Sequence, residues 1–126
     1  MAQQHQSLTA SFAAAIRGLV TTVRTQRNFR IELAIAALAL ILAAVLELSR
    51  IEWLVLVLTI ALVLACELLN TALESTVDLA CPDLHPLAKR AKDAAAAATL
   101  TAAALALIIG VLIYIPRILK VLGLTP

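Results

Sequence analysis

The chain has 126 residues, 63% of them hydrophobic and only 14% charged, with a net charge of +2 and a mean hydropathy of +1.01. A water-soluble domain this short cannot hide so much apolar surface in one core, so an ordinary soluble enzyme is excluded and a bilayer is required as a second solvent. The expected fold class is an all-α membrane protein forming a single domain over residues 1–126, and no nucleic-acid partner is expected.

Residues Met1 to Gln6 are polar and are expected to be loose. From Ser7 the apolar residues Leu8, Phe12, Ile16, Leu19 and Val23 recur every three or four positions, and Arg17 and Arg24 fall away from that stripe. The spacing predicts an amphipathic helix over 7–27, suited to the membrane surface with arginine on its polar side. An ordinary helix packed on a protein core is the competing reading.

The first span is expected over 28–48. Its apolar run LAIAALALILAAVLEL, Leu33 to Leu48, is short for a hydrocarbon core of ~30 Å, so the helix must start earlier. A signal peptide is rejected, because the preceding segment is too long and too amphipathic and further spans follow. A short polar connection leads to a second span over 52–80, whose helical pattern runs on through ELLNTALESTVDLA. Pro82 and Pro86 then interrupt it. Pro86 is a favoured first-turn residue, and the third span is expected over 86–115, ending at Pro116.

Basic residues set the orientation. Arg17, Arg24, Arg27, Arg30, Lys89, Arg90 and Lys92 flank one side of the spans, and Arg50, Arg117 and Lys120 flank the other. That bias places the N terminus and the second loop in the cytoplasm. Cys66 and Cys81 lie ~22 Å apart on a continuous helix, too far for a disulfide, and are expected as reduced thiols. Ala94 to Ala98 and Ala102 to Ala104 allow close helix approach within a membrane. Three spans enclose little of a polar site, so a homo-oligomer is expected.

The chemistry concentrates on Glu67, Asn70, Glu74 and Asp78, whose spacings of three, four and four put them on one helical stripe. A carboxylate at membrane depth costs a few kcal/mol or more, so it faces a partner, a cavity or an ion. The compensating charge comes either from Lys92 and Arg90 at the start of the third span or from a divalent cation. Hard oxygen donors on one face suit Mg²⁺. Interhelical salt bridges that fix an oligomer are the blander alternative. A phosphate-cradling GxxxxGK[ST] loop, a zinc-ligand spacing around His5 or His85, and a Ser–His–Asp arrangement are all absent.

The stretches NFRIEL (Asn28 to Leu33), ELLNTALESTVDL (Glu67 to Leu79) and HPLAKRAKDAAAAA (His85 to Ala98) resemble the small prokaryotic diacylglycerol kinase and undecaprenol kinase family. The resemblance runs from about Ser11 to Pro116 in the same order. It implies an ATP-dependent lipid kinase of the bacterial inner membrane, a homotrimer with sites shared between subunits, each with three spans and a surface helix. On this resemblance Glu67 matches the catalytic carboxylate, the general base for the lipid hydroxyl, and Asn70 the amide beside it. Glu74 matches the glutamate that holds Mg²⁺ on the ATP phosphates. Asp83, His85, Lys92 and Asp93 match nucleotide-binding positions, Phe29 and Arg30 substrate-positioning ones, and Asp78 and Arg90 supporting ones. Gln26 stands where the family carries a second metal-binding glutamate, and its neutral amide brings no charge. Glu32, two turns later, is read as a residue that could compensate for the missing charge, although it lies on the apolar side of the motif start. The NTA and HPLAK wording looks more like the undecaprenol branch, so undecaprenol is the expected substrate and diacylglycerol the next. An ion- or proton-coupled transporter is the runner-up, since intramembrane carboxylates also serve proton relays. A family member weakened at Gln26 is the third reading.

Overall fold

The computed structural model describes residues 7–124, which form four helices: α1 (Leu8–Thr25), α2 (Arg27–Val45), α3 (Arg50–Ala80) and α4 (Pro86–Val121). The polar lead Met1 to Gln6 lies outside the described residues, as does His5. Helices α2, α3 and α4 are long and apolar enough to cross a membrane, with mean hydropathies of 1.9, 2.3 and 2.4 over their best windows. At 31 and 36 residues, α3 and α4 extend ~46 and ~54 Å, beyond the ~30 Å a hydrocarbon core requires. The surplus turns include the α3–α4 end, where most of the charged residues of both helices stand.

Helix α1 starts at Ser7, whose hydroxyl accepts from the Ala10 N–H at 3.3 Å, a side-chain cap for an otherwise unpaired donor. It stops at Thr25, two residues before the expected end. Three threonines weaken its last turns, and the Thr22 and Thr25 hydroxyls bond back to the carbonyls of Gly18 and Thr21 at 3.0 and 2.9 Å. Gln26 follows in an extended conformation and separates α1 from α2. The apolar side chains Leu8, Phe12 and Ile16 are 80%, 71% and 61% exposed, so no part of the described chain covers this stripe.

The end of the bundle remote from the acidic stripe holds the core. Ala43, Leu48, Leu56 and Ile113 are buried together, with Trp53, Ile60 and Tyr114 packed against them. The turn from α2 to α3 is tight: the Leu48 N–H donates to Ala43 O at 3.1 Å and the Glu47 N–H to Ala44 O at 3.3 Å. These two bonds close a Schellman-type cap around Glu47, which adopts φ 51°. Helix α3 then opens with a capping box, Ser49 and Glu52 each bonding the other's backbone N–H. Arg117 from α4 ties this end together, donating through Nε to Glu52 Oε1 at 3.2 Å, through Nη2 to Glu52 Oε2, and through Nη1 to Glu47 O at 3.4 Å.

Helix α4 runs through Pro116 to Val121, past the expected end at 115. Proline removes one backbone bond and crowds the preceding turn, but membrane helices tolerate it where neighbours hold the chain. Here the holds lie on both sides of Pro116: Tyr114 donates its hydroxyl hydrogen to Ala39 O at 2.6 Å, and Arg117 grips Glu52.

Candidate functional site

Helices α3 and α4 form an antiparallel hairpin that brings its charged residues level. Glu67 stands thirteen residues before Ala80, and Thr99 thirteen after Pro86, so both sit ~20 Å from the connection. A cavity of about 320 Å³ lies at this level, lined by Asn28, Ile31 and Glu32 of α2, Glu67 and Asn70 of α3, and Ala96, Thr99, Leu100 and Ala103 of α4. Glu67 is 3% exposed and is the only buried charged residue among those described. Three buried polar atoms have no partner within the chain: Glu32 Oε2, Asn70 Oδ1 and Thr99 Oγ1. All three residues line this cavity. Buried polar atoms normally find a partner, so orphans gathered around one cavity mark a place for a ligand or solvent.

Beside the cavity lies an apolar groove of about 480 Å³ along α2, α3 and α4, reaching from Glu32 to Tyr114 and Ile115. Glu32 and Ala103 line both spaces. The acidic end and the apolar groove therefore adjoin, and together they make up the recess between α2, α3 and α4.

Towards the α3–α4 connection the stripe is held by hydrogen bonds. Asn70 Nδ2 donates to Glu74 Oε1 at 3.2 Å, and Lys92 Nζ bonds Asp78 Oδ1 across the hairpin at 2.6 Å. Asp93 pairs with Lys89, one turn back on its own helix, at 2.9 Å. Lys92 and Asp93 thus each have a different partner. His85 caps α4, its Nδ1 accepting from the Leu87 N–H at 3.2 Å, and Asp83 lies exposed in the connection, where its carbonyl accepts from Cys81 Sγ at 3.5 Å. Arg90 is exposed on α4. Both cysteines are free.

Several residues singled out from sequence stand away from the cavity. Phe29 is 1% exposed and, like Arg30, is not on its wall. Gln26 is half-buried at the α1–α2 junction, its backbone N–H donating to Thr22 O at 2.8 Å, and its side chain makes no cap bond to α2. Glu32 needs correcting in the other direction. The side of α2 that reads as apolar faces the recess, and Glu32 lines both of its parts. The signal was available, because an ionisable residue inside a span is a functional candidate wherever it falls. Asn28 and Thr99 carried no such signal.

Among the described residues no three His, Cys, Asp or Glu side chains gather closely enough to hold a metal ion by themselves. The donor set still suits Mg²⁺ arriving with a nucleotide, because this ion takes one or two carboxylates and completes its shell with phosphate oxygens and water. Glu74, fixed by Asn70, offers such a carboxylate.

The prokaryotic diacylglycerol kinase family model matches residues 13–114. The chain is 49% identical over 108 residues to an undecaprenol kinase of Bacillus subtilis (strain 168), covering 86% of this chain and 88% of that protein. It is 44% identical over 117 residues to a diacylglycerol kinase of Synechocystis sp., covering 92% of this chain and 67% of the relative. A diacylglycerol kinase of Escherichia coli (strain K12) is 35% identical over 92 residues, 73% of this chain and 75% of its own length. A match over most of the chain, carried by three apolar helices and an acidic recess between them, places this protein in the prokaryotic diacylglycerol kinase family.

Proposed function

We propose that this chain transfers the γ-phosphoryl group of ATP to the hydroxyl of a membrane lipid, undecaprenol first and diacylglycerol next. The observation that carries the reading is the recess itself: buried Glu67 and the orphan Asn70 Oδ1 stand where a long apolar groove ends. A lipid chain fits the groove, which brings its one hydroxyl to the carboxylate. The order of preference rests on the relative named undecaprenol kinase.

In this reading Glu67 accepts the proton of the lipid hydroxyl as its oxygen bonds to the γ-phosphorus. The bond from that phosphorus to the β–γ bridging oxygen breaks, and ADP leaves. Phosphoryl transfer asks mainly for positioning and charge neutralisation. Asn70 positions Glu74, and Glu74 would hold Mg²⁺ on the nucleotide. When bound, the ion supplies positive charge for the phosphate oxygens. Lys92, drawn across the hairpin by Asp78, supplies a second positive charge at the same end, with Asp83, His85 and Asp93 near the nucleotide. Helix α1 lies on the cytoplasmic membrane surface through its uncovered apolar stripe. A homotrimer, with each site shared between neighbours, covers the apolar faces of the spans and brings a neighbour's Gln26 junction to the metal.

The test is phosphorylation by the purified chain in mixed micelles, with ATP, Mg²⁺ and each lipid offered separately. Phosphorylated product, faster with undecaprenol, is expected. Silence with both lipids from folded, assembled protein would overturn the reading. Product from diacylglycerol alone would overturn only the order of preference.

A further inference from the structure

Thr99 differs from most other hydroxyls of the long helices. Thr59, Ser75, Thr76 and Thr101 each donate to the carbonyl four residues back, at 2.7 to 2.9 Å. That local bond is the ordinary resting place of a hydroxyl within a helix. Thr99 Oγ1 is buried and makes no bond within the chain, although Thr101, two residues on, does. It is the one hydroxyl on the cavity wall and the only polar side chain that α4 places there, between Ala96, Leu100 and Ala103.

The facing walls are rich in acceptors. Glu32 and Glu67 present carboxylates, and Asn70 presents Oδ1 while one of its Nδ2 hydrogens is held by Glu74. An acceptor lipid with one hydroxyl has a single hydrogen to give, and it goes to this side. Any other oxygen of the lipid is an acceptor, which the carboxylates repel. Thr99 is the hydroxyl donor positioned to receive it, beside the second Nδ2 hydrogen of Asn70 and the exposed amide of Asn28.

Resting on the lipid-kinase reading, we propose that Thr99 is a specificity-determining positioning residue whose hydroxyl donates a hydrogen bond to an ester carbonyl of a glycerolipid acceptor. The acceptor's free hydroxyl then meets Glu67 on the opposite wall. A polyprenol has no second oxygen and makes no use of Thr99. The hydroxyl therefore widens the substrate range from polyprenols to glycerolipids.

The experiment measures kcat/KM of the full chain in mixed micelles for diacylglycerol and for undecaprenol, with Thr99→Val and Thr99→Ser beside the wild type. Valine keeps the shape and removes the donor. Thr99→Val is expected to lower kcat/KM for diacylglycerol about tenfold, the scale of one hydrogen bond. Undecaprenol should change by less than about twofold, and Thr99→Ser should restore diacylglycerol turnover. Undecaprenol turnover doubles as the control for folding. Equal loss on both lipids, loss on undecaprenol alone or no loss on either would overturn the proposal, as would a wild type that phosphorylates undecaprenol and leaves diacylglycerol untouched. A wild type inactive on both lipids would overturn the kinase reading on which the proposal stands.

Discussion

Asn70 and Glu74 are joined across one turn of α3, Nδ2 to Oε1 at 3.2 Å. The bond commits the amide's donor end to Glu74 and leaves Oδ1 buried without a partner on the cavity wall. On the proposed reading, one side chain thus links the lipid end of the recess to the nucleotide end. Replacing it by alanine removes both the hold on Glu74 and the acceptor in the cavity. Asn70→Ala is expected to reduce lipid phosphorylation about 10- to 100-fold, the usual cost of losing a group that orients a metal ligand. The helical circular dichroism should be unchanged.

Glu74 itself is read as the carboxylate for Mg²⁺. Glu74→Gln removes the charge and keeps the shape, so the Mg²⁺ concentration giving half-maximal activity should rise about tenfold or more. Gln26→Glu should lower that concentration if a neighbouring subunit brings Gln26 to the metal. A Mg²⁺ titration of both variants checks the pair. An unchanged curve for Glu74→Gln would count against ligation.

Lys92 and Asp78 pair across the hairpin with 36% and 65% of their side-chain surfaces exposed. A pair so open to solvent contributes little to stability. Asp78→Asn should therefore shift the unfolding midpoint only slightly, and the KM for ATP should stay within a few-fold. Lys92→Ala removes a charge read as meeting the nucleotide, and should raise that KM about tenfold, on the scale of a charge-assisted hydrogen bond. ATP saturation curves for the two variants separate a structural pair from a nucleotide contact.

Glu47 holds φ 51° at the cap of α2, a conformation that costs a residue with a Cβ roughly 1 kcal/mol. The equivalent cap of α4 has Gly123 at φ 69°. Arg117 reaches the Glu47 carbonyl, which any residue supplies. Glu47→Gly should stabilise the chain by about 0.5–1 kcal/mol and leave turnover unchanged, read as thermal unfolding in detergent beside the lipid assay. A lower midpoint would show that the Glu47 side chain contributes more than its backbone strain costs.

The helices were legible because their signals are local. Apolar runs gave the spans, Pro82 and Pro86 marked the connection between α3 and α4, and the three-four-four spacing put Glu67, Asn70, Glu74 and Asp78 on one stripe. The ends were less legible where tertiary contacts compete with local rules: α4 passes Pro116 because Tyr114 and Arg117 anchor it on either side. The apolar side of α2 on which Glu32 is read does face the groove, but that helix is apolar nearly all round, so periodicity alone does not show that Glu32 also lines the acidic cavity. Thr99 sits in an alanine-rich run, and its place on the cavity wall shows only once α4 is folded back along α3. The pairing of Lys92 with Asp78 rather than Asp93 likewise depends on the register of the hairpin, which a single sequence does not display.

The central claim is that Glu67, buried in the recess, takes the proton from the lipid hydroxyl. The most direct test compares wild type and Glu67→Gln in the undecaprenol phosphorylation assay, with oligomer state and helical content measured on the same samples. The account predicts product from the wild type and none from Glu67→Gln, with assembly and folding preserved in both. Retained turnover in the glutamine variant would contradict it.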